Sequence, residues 1–127
     1  MAVWYSIDTE ASRTVVSSRV YDNIKEEDRP DLRESCHLNM EQANGTPLHI
    51  QGLATLPLSL GDHIIEKQVI VADIKDDVLI GMDIGKEVDV LTSQKKVCID
   101  GQEVSCTHIV NDRVYKVKAA DTYRIAL

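Results

Sequence analysis

Val3-Trp4-Tyr5-Ser6-Ile7 is a short, largely apolar run that leads straight into Asp8-Thr9-Glu10-Ala11-Ser12. A carboxylate at the end of a buried strand, followed by small hydroxyl and methyl residues, is an unusual composition for a core. It is a candidate for general acid–base work. Taken alone, an Asp before a Thr is an Asx-turn or a strand-end cap, and Thr9 and Ser12 are ordinary turn hydroxyls. The later elements give it weight. Val78-Leu79-Ile80-Gly81 is a second apolar strand, ends in glycine and runs into Met82-Asp83. The other chemistry-bearing residues are scattered. Cys36, Cys98 and Cys106 contain no C-x-x-C pair, and with His37 and His108 they match no zinc spacing. The four histidines form no ligand or base set, so neither metal nor cofactor is expected. Asn44-Gly45-Thr46 fits the N-glycosylation pattern but reads better as a turn.

In this order the elements resemble the retropepsin-like aspartic proteases, especially those of gypsy-type retrotransposon and retroviral polyproteins. Their signature is an apolar strand, then Asp-Thr/Ser-Gly-Ala, and later an apolar-apolar-Gly element with Met-Asp behind it. The matching residues here are Asp8-Thr9-Glu10-Ala11 and Leu79-Ile80-Gly81-Met82-Asp83. Ala43-Asn44-Gly45-Thr46 stands where that family has its flap turn. The stretch from Lys96 to Val104 resembles the strand-turn-strand that follows. The likeness runs from about Val3 to Cys106.

The resemblance implies an all-β, closed-barrel acid-protease fold, with one short helix after the apolar-apolar-Gly strand. It also implies an endopeptidase that works on a peptide or polyprotein substrate. Such hydrolysis uses two carboxylates sharing one proton, one acting on a water and the other on the carbonyl oxygen. The chain offers one such residue, Asp8. A protomer is therefore half a site, and a two-fold homodimer supplies the rest. Thr9 would clamp the two loops together, Ala11 and Ser12 would support them, and Leu79-Ile80-Gly81 would pack behind. The 43–46 turn would close over the substrate, and Arg13, the 43–47 turn and Val78 to Ile80 would line the cleft. Glu10 departs from the motif, which has glycine there. Glycine leaves the cleft floor open and accepts backbone angles that Glu resists. Glu10 adds bulk and negative charge beside Asp8. A second reading follows, in which the fold persists as a catalytically impaired dimerisation or peptide-binding module. A third is an unrelated small β-barrel binding domain.

The elements that must position these residues are short apolar runs separated by turn signals. Thr14-Val15-Val16 is a strand run, and Ser18 to Ile24 makes one or two helical turns capped by Ser17 or Ser18. Lys25 to Asp31 is a solvated loop. Hairpins are expected at Asn44-Gly45 (strands Cys36–Ala43 and Pro47–Gln51), Gly61-Asp62 (Leu53–Leu60 and His63–Ala72) and Asp100-Gly101 (Val97–Ile99 and Gln102–Cys106). The 63–72 strand reads as buried on both faces. Met82 to Val88 is the other plausible helix. Arg113–Lys118 and Thr122–Ile125 alternate like edge strands. Residues 1–110 form the protease-like domain, and 111–127 are edge strands or a link to a further domain.

The whole-chain numbers fit this reading. The 127 residues suffice for one domain, with 43% hydrophobic and 28% charged residues. Fourteen Lys and Arg against 21 Asp and Glu give a net charge of −7. A phosphate backbone is repelled by that balance, and one Trp, four Tyr and no Phe leave little to stack bases on, so nucleic-acid binding is not expected. No apolar run approaches the roughly 18 to 20 residues of a membrane span, and the N-terminus lacks the pattern of a secretory signal. With the sparse, odd cysteine count, the expectation is a reducing, cytoplasmic setting.

Overall fold

β-branched and aliphatic residues dominate the central runs of this chain, and they pair side by side. A computed structural model describes residues 3–34, 47–60, 63–105, 108–109 and 114–118. The first half holds β1 (Trp4–Asp8), β2 (Val15–Ser17), helix α1 (Ser18–Asp22), β3 (Ile50–Leu60) and β4 (His63–Ala72). Next come β5 (Val78–Ile80), a 3-10 turn at Met82–Ile84 and β6 (Val88–Leu91). A second 3-10 turn (Thr92–Gln94) precedes β7 (Lys96–Ile99), β8 (Gln102–Ser105), β9 (His108–Ile109) and β10 (Val114–Lys118).

The strands make a seven-stranded sheet, β3-β4-β2-β5-β1-β10-β9, and a three-stranded sheet, β6-β7-β8. The chain is all-β, as expected. The described pairings form two open sheets rather than one closed barrel, because β3 and β9 end the larger sheet without meeting.

At the centre, β1 runs parallel to β5, with Ser6 opposite Leu79 and Ile7 opposite Ile80. β2 is antiparallel to β5, with Val15 opposite Leu79, and parallel to β4, with Val15 opposite Ile70. Side chains alternate across a strand. Ser6, Leu79, Val15 and Ile70 therefore share one face, and Tyr5, Ile7, Val78, Ile80 and Val16 share the other. The second face is the main core, where Tyr5, Ile7, Leu58, Leu60, Val78 and Ile80 are all fully buried. The first face is less completely filled. Val15, Ile70 and Ala72 are buried there, with Leu48, Ile50, Leu53, Ile74 and Leu79 only partly covered.

Ser17 caps α1 by accepting the Arg19 N–H at 3.1 Å. The Arg19 guanidinium then donates to the Lys75 carbonyl at 2.7 Å, tying the turn before β5 to the helix. In the β7–β8 hairpin, Asp100 and Gly101 both have positive φ, 49° and 86°. This is the turn geometry for which Asp-Gly is selected. β3 and β4 pair antiparallel up to Leu60 opposite His63, as the sequence predicts, and Gly61-Asp62 lies outside the described residues.

Three expectations change. β4 is buried on both faces only from Val69 to Ala72. Its first half alternates, and Ile64 is 56% exposed. The helix expected after Gly81 is a single 3-10 turn, while the α-helix of the fold is α1. Gly85, extended at φ −163°, ends that turn. Val114–Lys118, expected at an edge, lies between β1 and β9 and pairs with both. The Cys36–Ala43 strand, the 43–46 turn and Thr122–Ile125 fall outside the described residues.

Candidate active site

β1 ends at Asp8, whose side chain is half-buried. Alternation along β1 sets Asp8 on the face of Ser6, Leu79 and Val15, the incompletely filled one. The chain then turns sharply. Asp8 Oδ1 accepts the Glu10 N–H at 2.9 Å, and the Asp8 carbonyl accepts the Ala11 N–H at 3.1 Å. One carboxylate oxygen is thus fixed by a backbone donor. Thr9 and Ala11 are half-buried, and Glu10 and Ser12 are exposed.

The turn after β5 backs this loop. The Met82 N–H donates to the Ala11 carbonyl at 2.8 Å. A Cβ on Gly81 would lie 2.5 Å from the Arg13 carbonyl carbon and oxygen, so only glycine lets the two backbones approach this closely. Asp8 and Gly81, far apart in the chain, each follow a register pair of adjacent strands, Ile7 with Ile80. Leu79 faces the Asp8 side of the sheet and Ile80 the core.

A further group ties the loop and the turn together. Thr14 is fully buried, and its Oγ1 accepts the Gly81 N–H at 3.1 Å and donates to Asp83 Oδ1 at 2.7 Å. Asp83 Oδ2 faces Arg13 Nε at 3.6 Å and Lys67 Nζ of β4 at 3.7 Å. In the sequence Arg13 is expected at the cleft and Asp83 stands within a motif, but Asp83, Thr14 and Lys67 carry no expected role. The usable signal was a hydroxyl opening a β-branched run six residues after Asp8.

Glu10 departs from the motif in one way rather than two. The described non-glycine residues with positive φ are Lys95 and Asp100, so Glu10 is accommodated without left-handed backbone. What it adds is an exposed carboxylate beside Asp8. Ala43, Asn44, Gly45 and Thr46 lie outside the described residues. Among those described, no three His, Cys, Asp or Glu side chains are grouped to hold a metal ion, and no helix is long and apolar enough to cross a membrane.

No protein-family model matches the sequence, and no curated protein matches it either. The solved structures do provide a match. The retroviral protease-like domain of Ddi1 from Leishmania major superimposes with a TM-score of 0.59 at 19% identity. The match covers 78% of this chain and 79% of that one. The fold is retropepsin-like. At that identity the likeness speaks for the fold alone.

Proposed function

We propose that the chain is an aspartic endopeptidase of the retropepsin type, active as a homodimer with one Asp8 from each protomer. The observation that carries this reading is the setting of Asp8. In a retropepsin-like fold it ends a central strand, one oxygen is held by the Glu10 N–H, and its loop is bound to the Gly81-Met82 turn. Two carboxylates about 3 Å apart share one proton. The ionised one takes a proton from a water as the water oxygen bonds to the peptide carbonyl carbon. The protonated one gives its proton to the carbonyl oxygen. Collapse of the resulting diol breaks the C–N bond as a proton passes to the leaving nitrogen. On the incompletely filled face, the partly covered Leu79 and Leu53 offer aliphatic surface to an extended substrate, and the 43–46 turn would cover it. The resemblance to retroelement proteases supports a polyprotein as substrate.

One observation favours a second reading, a peptide-binding or dimerisation module without catalysis. Glu10 sets an exposed carboxylate where the motif has no side chain. A peptide-library digest at acidic pH separates the two readings. The enzyme reading expects cleavage by the wild type and none by Asp8→Asn. The module reading expects an inert wild type and cleavage once Glu10→Gly opens the floor.

A further inference from the structure

Asp83 sits where three elements meet, and its two oxygens face different partners. Oδ1 accepts the Thr14 hydroxyl at 2.7 Å, and that hydroxyl accepts the Gly81 N–H at 3.1 Å. Oδ2 faces the Arg13 and Lys67 cations. Thr14 is fully buried, and the Asp83 side chain is only 16% exposed. A buried hydroxyl has one proton to give, and its direction decides what its oxygen can accept. With the Thr14 proton committed to Asp83, the lone pairs of Oγ1 are turned toward the Gly81 N–H. The Gly81 backbone is in turn pressed against Arg13, and the next amide, Met82 N–H, holds the Ala11 carbonyl at 2.8 Å. Ala11 closes the turn on Asp8.

We propose that Asp83 is a positioning residue: through Thr14 and the Gly81-Met82 amides it fixes the loop that carries Asp8. The proposal rests on the reading of Asp8 as the reacting group. Its hydrogen-bond relay can be tested independently of that reading. Toward Thr14 the carboxylate acts as an acceptor, which an amide oxygen supplies, while the amide NH2 replaces Oδ2 and gives up only the longer 3.6 and 3.7 Å ion pairs with Arg13 and Lys67. Asp83→Asn keeps an acceptor for Thr14, Asp83→Ala removes it, Thr14→Val removes the relay, and Thr14→Ser retains it.

The test is a double-mutant cycle with two readouts on the full chain. In peptide cleavage, Asp83→Ala and Thr14→Val each lower kcat by about 10- to 100-fold, the range for a misplacement of about 1 Å, with KM little changed. The double variant is no worse than Thr14→Val, because both break one chain of contacts. Asp83→Asn and Thr14→Ser stay close to wild type. In amide hydrogen exchange, Gly81 and Met82 lose protection in Asp83→Ala and Thr14→Val and keep it in the conservative variants, while Val97 of β7 stays protected in all four. Losses that multiply in the double variant overturn the proposal. So does Asp83→Asn behaving like Asp83→Ala, or protection lost throughout the fold, which would make Asp83 a stability residue. If the wild type cleaves nothing, the peptidase reading fails while the exchange pattern still decides the relay.

Discussion

Tyr5 shows how a polar group is carried into the core beneath the site. Its ring is fully buried, and its hydroxyl accepts the Ser59 N–H at 3.0 Å. Tyr5→Phe leaves that buried donor without its partner, and a loss of about 1 to 3 kcal/mol in urea unfolding is expected. Burial also pushes the Tyr5 hydroxyl well above its ordinary value of 10.0, with the Ser59 contact opposing it. An unfolded Tyr5 releases its proton near pH 10 while the folded one retains it. Above that pH the folded state holds more protons, so this residue's contribution to stability falls as pH rises. Thermal melts from pH 9 to 11 should show a steeper decline for wild type than for Tyr5→Phe, and parallel curves would contradict this. Glu10 is the residue whose effect is chemical rather than conformational. Its backbone is unstrained, so Glu10→Gly should leave the melting temperature nearly unchanged while raising kcat/KM.

At the level of elements, the close approach of the Gly81 turn to the Asp8 loop is the most demanding contact. Gly81→Ala puts a methyl group about where the Arg13 backbone lies. Overpacking of this kind costs roughly 1 to 3 kcal/mol, and here it also shifts the loop that carries Asp8. Melting and cleavage should therefore fall together in Gly81→Ala. Gly101→Ala, also strained because of its φ of 86°, should lower stability by about 1 to 2 kcal/mol and spare kcat. These glycines and the Asp8 loop were legible in the sequence because their signals are local. Asp-Gly between strand runs means a tight hairpin, and an apolar run ending in Asp-Thr is visible at a glance. The Thr14–Asp83 bond joins residues 69 apart, and no local pattern announces it. The same holds for Val114–Lys118. Its alternation reads as a half-exposed strand, but its place between β1 and β9 comes from long-range pairing. In β4, Ile64 reads as core by residue type. At that end one face of the strand, with Ile65, packs on the core while the other is uncovered, and Ile64 lies on the uncovered face.

For the whole molecule, the decisive feature is that one chain carries one Asp8 loop. A two-fold assembly is the economical way to bring a second carboxylate to the first, and it places the same loop on both sides of the axis. Sedimentation should give a particle of twice the 14.2 kDa chain mass at working concentration. The net charge of −7 on each protomer opposes association, so added salt should tighten the dimer by screening. The most direct measurement mixes wild type with Asp8→Asn in equal amounts, lets the subunits exchange and reads peptide cleavage at fixed total protein. If each site needs an Asp8 from both chains, only the wild-type pairs work, and activity falls to about a quarter of that of wild type alone. Activity of one half would mean that each chain acts on its own, and no cleavage by wild type at any pH would mean that Glu10 has closed the site; either result contradicts the shared catalytic pair.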